Sequence, residues 1–77
     1  MNFSVKELVW EAKVAFCLSI GFSKQGNNED AFFQYGRGKA LMQVLTMVTG
    51  WNINDFAPEL KEADDKAWRK LHMEVEA

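Results

Sequence analysis

Apolar residues recur every three or four positions along most of this chain, which is the spacing of one face of an α-helix. The S-x-x-E sequence from Ser4 to Glu7 is a capping box, and Phe3 and Leu8 occupy the positions of a hydrophobic staple. A stop is available at 25–28, where a glycine is followed by two asparagines. We therefore predict a first helix from Ser4 to about Lys24. Its main apolar face comprises Leu8, Ala12, Ala15, Ser19 and Phe22, widened by Val5, Val9, Phe16 and Ile20.

The pattern then predicts two further helices. The second begins at the acidic pair Glu29 and Asp30 and continues through Val48 to Thr49-Gly50. The segment 51–56 is a connector with one short helical turn capped by Asn52, and Pro58 opens a third helix that runs to about Glu74. The predicted fold is all-α, a single domain over residues 1–77 made of a long antiparallel hairpin and a shorter C-terminal helix. The main stripes are Ala31, Tyr35, Gly38, Met42 and Leu45 in helix two and Leu60, Ala63, Ala67 and Leu71 in helix three.

Both long helices carry a second apolar stripe on the opposite side. The third helix offers one modest stripe, which covers one of these faces but not all of them. We therefore expect a homo-oligomer or a surface that binds another protein. The competing interpretation is a monomer in which the connector and the third helix fold over everything. The second stripes are Trp10, Val14, Cys17 and Gly21 in helix one and Phe33, Ala40, Val44 and Met47 in helix two.

Charge and cysteine content narrow the function classes. Nine basic and eleven acidic side chains give a net charge of −2, which argues against nucleic-acid or anionic-membrane binding. Cys17 is the only cysteine and His72 the only histidine, which excludes an internal disulfide framework and a histidine-rich metal site. We expect a cytoplasmic, reducing location. Charged residues interrupt the first apolar segment, so neither a signal peptide nor a membrane span is predicted.

No catalytic set emerges from the sequence. His72 lies about two helical turns from Asp64 and Asp65, and no nucleophile is placed beside it. We expect a solvated histidine near a helix end, a Cys17 that packs rather than reacts, and neither enzyme activity nor a cofactor. The acidic start of the third helix is predicted to be a solvated face that argues against DNA contact, with a basic protein groove or nucleic-acid mimicry as alternatives. Favourable pairs four apart are Glu62 with Lys66 and Asp65 with Arg69.

The stretch from Tyr35 to Lys39 supplies two cations and two glycines. It lies inside a helical pattern, so its GxG sequence is no nucleotide fingerprint. The packing interpretation is that Gly36 and Gly38 let helices approach closely. The alternative is an oligomeric sponge that binds a small anionic, nucleotide-like ligand through Tyr35, Arg37 and Lys39.

The spacing Leu18-x3-Phe22-x3-Gly26-x4-Ala31-x3-Tyr35-x2-Gly38 resembles one tetratricopeptide-type helical hairpin and covers about 21 of the 77 residues. Ala15 stands where that family has tryptophan, and Gln43 stands where it has proline. The resemblance implies a shared way of packing antiparallel helices and transfers no binding residues.

Together these features predict a non-catalytic protein-binding module that occludes or sequesters a partner. In kind it resembles the small accessory proteins of phages and mobile elements that block host machinery by contact. A third class is transcriptional regulation by a partner-binding cofactor without DNA contacts. The candidate anchors are Trp10, Phe32, Phe33, Trp51 and Trp68.

Overall fold

The computed structural model describes residues 4–72 and confirms the all-α prediction. Its helices are α1 (Val5–Lys24), α2 (Asn28–Thr49), α3 (Ile53–Phe56) and α4 (Pro58–His72), and this part of the chain contains no strand. Phe3, one half of the expected staple, and the predicted last turn up to Glu74 lie outside the described residues.

Both ends of the long helices form as their sequences predict. The Ser4 hydroxyl accepts from the Glu7 amide at 3.1 Å, and the Glu7 carboxylate accepts from the Ser4 amide at 3.4 Å. Gly26 and Gly50 take positive φ angles of 78° and 72° after α1 and α2, a conformation that glycine adopts without the steric cost of a side chain. Asn27 caps α2 and Asn52 caps the single turn of α3.

Helices α1 and α2 form an antiparallel hairpin. Near the turn the buried Ser19 hydroxyl donates to the Ala31 carbonyl at 2.8 Å, and further from the turn the Phe16 ring lies against Gly38. Glu11 of α1 also pairs with Arg37 of α2. This hydrogen bond gives the Ser19 hydroxyl a partner inside the core, where an unpaired polar group is costly.

Helix α4 packs mainly against α1 and also contacts α2. Its predicted stripe is confirmed, since Leu60, Ala67 and Leu71 are buried. The molecule is nevertheless flat, with principal extents of 38 × 25 × 14 Å. A flat arrangement leaves each helix one side that no other helix covers. The buried apolar core consists of Ala12, Ala15, Phe16, Ala31, Leu45, Ile53, Ala57, Leu60, Ala67 and Leu71.

The expectation that both glycines serve helix packing is confirmed for Gly38, whereas no neighbouring helix within residues 4–72 meets Gly36. A Cβ atom on Gly38 would lie 2.7 Å from the ring of Phe16, which is fully buried. A Cβ atom on Gly36 would meet nothing within 4 Å. Only Gly38 is therefore required by the α1–α2 contact.

This difference predicts opposite effects for two alanine substitutions two residues apart. Gly36→Ala should stabilise the fold by up to about 1 kcal/mol, because alanine is the better helix former and nothing opposes its methyl group. Gly38→Ala gains the same propensity, but it forces the buried Phe16 ring aside at about 1–3 kcal/mol. Urea unfolding at low protein concentration measures both. Equal midpoints for the two variants would contradict the packing at Gly38.

Candidate functional site

The second apolar stripes remain uncovered in the single chain. Trp10, Phe33 and Met47 are 61%, 67% and 75% exposed. The interpretation in which α4 and the connector enclose every apolar face is therefore wrong. Cys17, which belongs to the second stripe of α1, is a free and exposed cysteine. Patches of this kind on a small chain are typical of interaction surfaces.

The structure brings two of the five predicted anchors together. Phe32 on α2 and Trp68 on α4 both contact His72, with ring centroids 5.6 Å and 4.6 Å from the imidazole. We call these three residues the aromatic cluster. Phe32 and Trp68 are 46% and 44% exposed. About half of each residue therefore packs against the protein, and the rest is accessible to a partner. His72 is exposed, as predicted, but it bridges two rings rather than standing alone in solvent.

The other three predicted anchors lie elsewhere. Trp51 follows the C-terminus of α2 and packs edge-on against Phe56, with the two ring centroids 5.9 Å apart. Trp10 and Phe33 make no ring contact within residues 4–72. Because consecutive helical residues point about 100° apart, Phe33 faces a different side of α2 from Phe32. The five anchors thus belong to several surfaces.

The prediction that Asp64 lies on a solvated acidic face is wrong, because this residue is 5% exposed. Its carboxylate accepts from the Tyr35 hydroxyl at 2.7 Å and from the Lys39 ammonium at 2.9 Å. The spacing of Leu60, Asp64, Ala67 and Leu71 was the available signal, because it puts Asp64 on the same buried stripe of α4.

An open groove of about 730 Å³ extends from this carboxylate along α2 and α4 to Trp68. Asp65 pairs with Lys61 at 2.7 Å, not with Arg69 as predicted. Glu62 and Lys66 likewise form no ion pair in the described chain. Arg69 makes no hydrogen bond or ion pair within residues 4–72, so its guanidinium is available beside Trp68. The residues lining the groove are Tyr35, Lys39, Lys61, Asp64, Asp65, Trp68 and Arg69.

The three residues proposed to bind an anion do not meet. Tyr35 and Lys39 point toward α4, where Asp64 engages both. Arg37 lies on the other side of α2 and pairs with Glu11 of α1. Each of the three is therefore committed to a carboxylate of the same chain.

Comparisons with family models, with curated proteins and with solved structures find no match to this chain. Within residues 4–72, no three histidine, cysteine or acidic side chains are grouped as a metal site would need. None of the helices in that range combines the length and the hydropathy that a membrane crossing requires.

The environment of Tyr35 predicts its titration. Desolvation raises the pKa of this hydroxyl, and so does its hydrogen bond to the Asp64 carboxylate. Tyr35 is the only tyrosine, so tyrosinate absorbance reports it alone. We expect a midpoint above the ordinary value of about 10, and a lower one in Asp64→Asn, which removes the carboxylate charge. A wild-type midpoint near the ordinary value would contradict the contact.

The same shift fixes a direction for stability. The folded state holds the Tyr35 proton more tightly than the unfolded chain does. This contribution to the free energy of unfolding is therefore complete below the ordinary tyrosine pKa and is lost as the pH rises above it. Unfolding midpoints measured across the alkaline range should fall more steeply for wild type than for Tyr35→Phe.

Neighbouring acidic residues of α4 offer a matched test of burial. Asp64→Ala should lower the free energy of unfolding by about 1–3 kcal/mol, because the Tyr35 hydroxyl and the Lys39 ammonium lose their partner in a half-buried setting. Asp65→Ala breaks an exposed ion pair and should cost less than about 1 kcal/mol. Urea unfolding compares them, and similar losses would argue against a buried Asp64.

Proposed function

We propose that this protein is a non-catalytic binding module that occludes or sequesters another protein through the aromatic cluster. The observation that carries the proposal is the half-exposed pair Phe32 and Trp68, held by His72 across the junction of α2 and α4. Large aromatic side chains that are already oriented bind with little loss of conformational entropy, and they dominate binding energies at protein interfaces.

The neighbouring charges indicate what the partner presents. Lys39 and Lys61 are already paired with Asp64 and Asp65, while Arg69 has no partner among the described residues. A carboxylate next to an apolar side chain would satisfy Arg69 while the apolar group packs on Trp68. The partner class we propose is therefore a protein segment with an apolar residue beside an acidic one.

The anionic-ligand alternative is less well supported by the same geometry. A phosphate entering the groove would approach the buried negative charge of Asp64 and would compete with it for Lys39. Arg37, one of the three residues predicted to bind an anion, pairs with Glu11 instead. Thermal stabilisation by ATP or inorganic phosphate that disappears in Arg37→Ala would favour this alternative over protein binding.

We further propose that the chain associates with itself. The second apolar stripes of α1 and α2 would stay exposed even when a partner covers the aromatic cluster. Protein binding and self-association then use different parts of the surface. A 77-residue chain has a small core, and association is a common way for such a chain to gain stability.

Capture followed by purified binding tests the protein-binding function. Immobilised wild type is compared with Trp68→Ala and with Phe33→Ala in an extract of the cells in which the protein occurs. We expect a protein retained by wild type and by Phe33→Ala but lost with Trp68→Ala. The purified candidate should then bind wild type at least about tenfold more tightly than Trp68→Ala by calorimetry, as for an interface anchor.

Occlusion adds a second readout. If the captured protein has a measurable activity, one equivalent of wild type should inhibit it, and Trp68→Ala should inhibit correspondingly less. Binding that is identical in Trp68→Ala and Phe32→Ala to that of wild type would remove the aromatic cluster as the site. Circular dichroism confirms that each variant keeps its helical content.

A further inference from the structure

The side of α2 opposite its buried residues carries an apolar run that the described chain leaves open. Phe33 and Met47 are 67% and 75% exposed, Val44 is 41% exposed, and Gly36 and Ala40 are exposed between them. We call these five residues the outer face of α2. All five are uncharged, and Arg37, seven residues before Val44 and so on the same side of the helix, lies at the edge of this face.

The outer face is symmetric in its spacing about Ala40. Phe33 and Met47 each lie seven residues from Ala40, and Gly36 and Val44 each lie four residues from it. Residues seven apart return to the same side of a helix. If a two-fold axis passes beside Ala40 and two α2 helices run antiparallel, Phe33 meets Met47 of the second copy and Gly36 meets its Val44. A two-fold interface requires this kind of self-complementary surface.

No contact within residues 4–72 explains why position 36 is a glycine. Nothing lies within 4 Å of where its Cβ would be, and glycine in a helix interior costs about 1 kcal/mol relative to alanine. Opposite a valine, the missing side chain lets two helix backbones approach closely. The residue that weakens the monomer is thus the one that an antiparallel pair needs.

The charges at the edges do not oppose the pairing. Arg37 and Lys39 flank the outer face on its two sides, and each already pairs with an acidic residue of its own chain, Glu11 and Asp64. Two copies therefore meet across five uncharged residues edged by an arginine that is already paired, and no unpaired cations come together. A charged strip would repel its own copy.

We propose that the outer face of α2 is the self-association surface and that two copies pair about a two-fold axis beside Ala40. This inference rests on the proposed self-association and adds the face and the geometry. From Phe33 to Met47 the strip is about 21 Å long. It buries roughly 400 Å² per copy, about half of what a standard interface buries per partner. We therefore expect a weak dimer with a dissociation constant of about 10–100 µM.

Sedimentation velocity from about 5 µM to about 1 mM spans that constant and tests the face. Wild type should shift from monomer to dimer, and Met47→Glu should remain monomeric over the same range. Trp10→Glu, an equally drastic change at a side chain of α1 that is 61% exposed, should dimerise like wild type. Gly36→Ala should unfold at higher urea yet dimerise less, a combination that a purely structural role for Gly36 would not produce.

Disulfide cross-linking in a Cys17→Ser background tests the geometry. Ala40→Cys should link to itself, because the axis passes beside it, whereas Phe33→Cys alone should not. Phe33→Cys mixed with Met47→Cys should link as a heterodimer. Self-linking of Phe33→Cys as efficient as that of Ala40→Cys would indicate parallel helices and would overturn the proposed axis.

The outcomes separate the proposals. A wild type that is monomeric throughout removes self-association, and with it this inference. A dimer that survives Met47→Glu but is lost in Trp10→Glu or Trp68→Glu keeps self-association and overturns the choice of α2. Neither result affects protein binding, which Trp68→Ala tests in the capture experiment.

Discussion

The packing of the Phe16 ring against Gly38 is the contact on which the rest of the fold depends. It fixes the separation of α1 and α2, because a Cβ atom at position 38 would collide with the ring. It also fixes the rotation of α2 about its own axis, because Gly38 must face the ring for the two helices to approach this closely. With Gly38 turned toward α1, Tyr35 and Lys39 face α4 and Arg37 faces Glu11. The rotation of α2 about its own axis thus decides which charged residues pair and which aromatic rings stay exposed.

Asp64 then fixes α4 against that frame. Its two oxygens accept from Tyr35 and Lys39, which lie one helical turn apart on α2. Sliding α4 by a turn would separate the carboxylate from both donors and leave a buried charge unpaired, which is far more costly than losing apolar contact alone. The position of α4 along α2 also sets the geometry of the aromatic cluster, because Trp68 follows Asp64 by one turn on the same helix.

Helix boundaries and buried stripes could be predicted from the sequence because they depend on local chemistry: the Ser4 capping box, the left-handed Gly26 and Gly50, and the period of the apolar residues. The contacts between α2 and α4 could not. Whether Asp64 is solvated or buried depends on how closely another helix approaches, and composition made it look like part of an acidic surface. The contact of Phe32 with His72, which also touches Trp68, has the same origin, since it requires residues forty positions apart in sequence to share one junction.

The consecutive residues Phe32 and Phe33 have a consequence for assembly. They point to different sides of one rigid helix, so the first remains free when the second is buried between copies. In a two-fold pair centred beside Ala40, the two Phe32 side chains lie roughly 24 Å apart along the helix axes. Such a pair is bivalent. A ligand with two suitably spaced docking segments would be held at a millimolar effective concentration by the second site once the first is engaged, whereas a ligand with one segment would gain nothing from pairing.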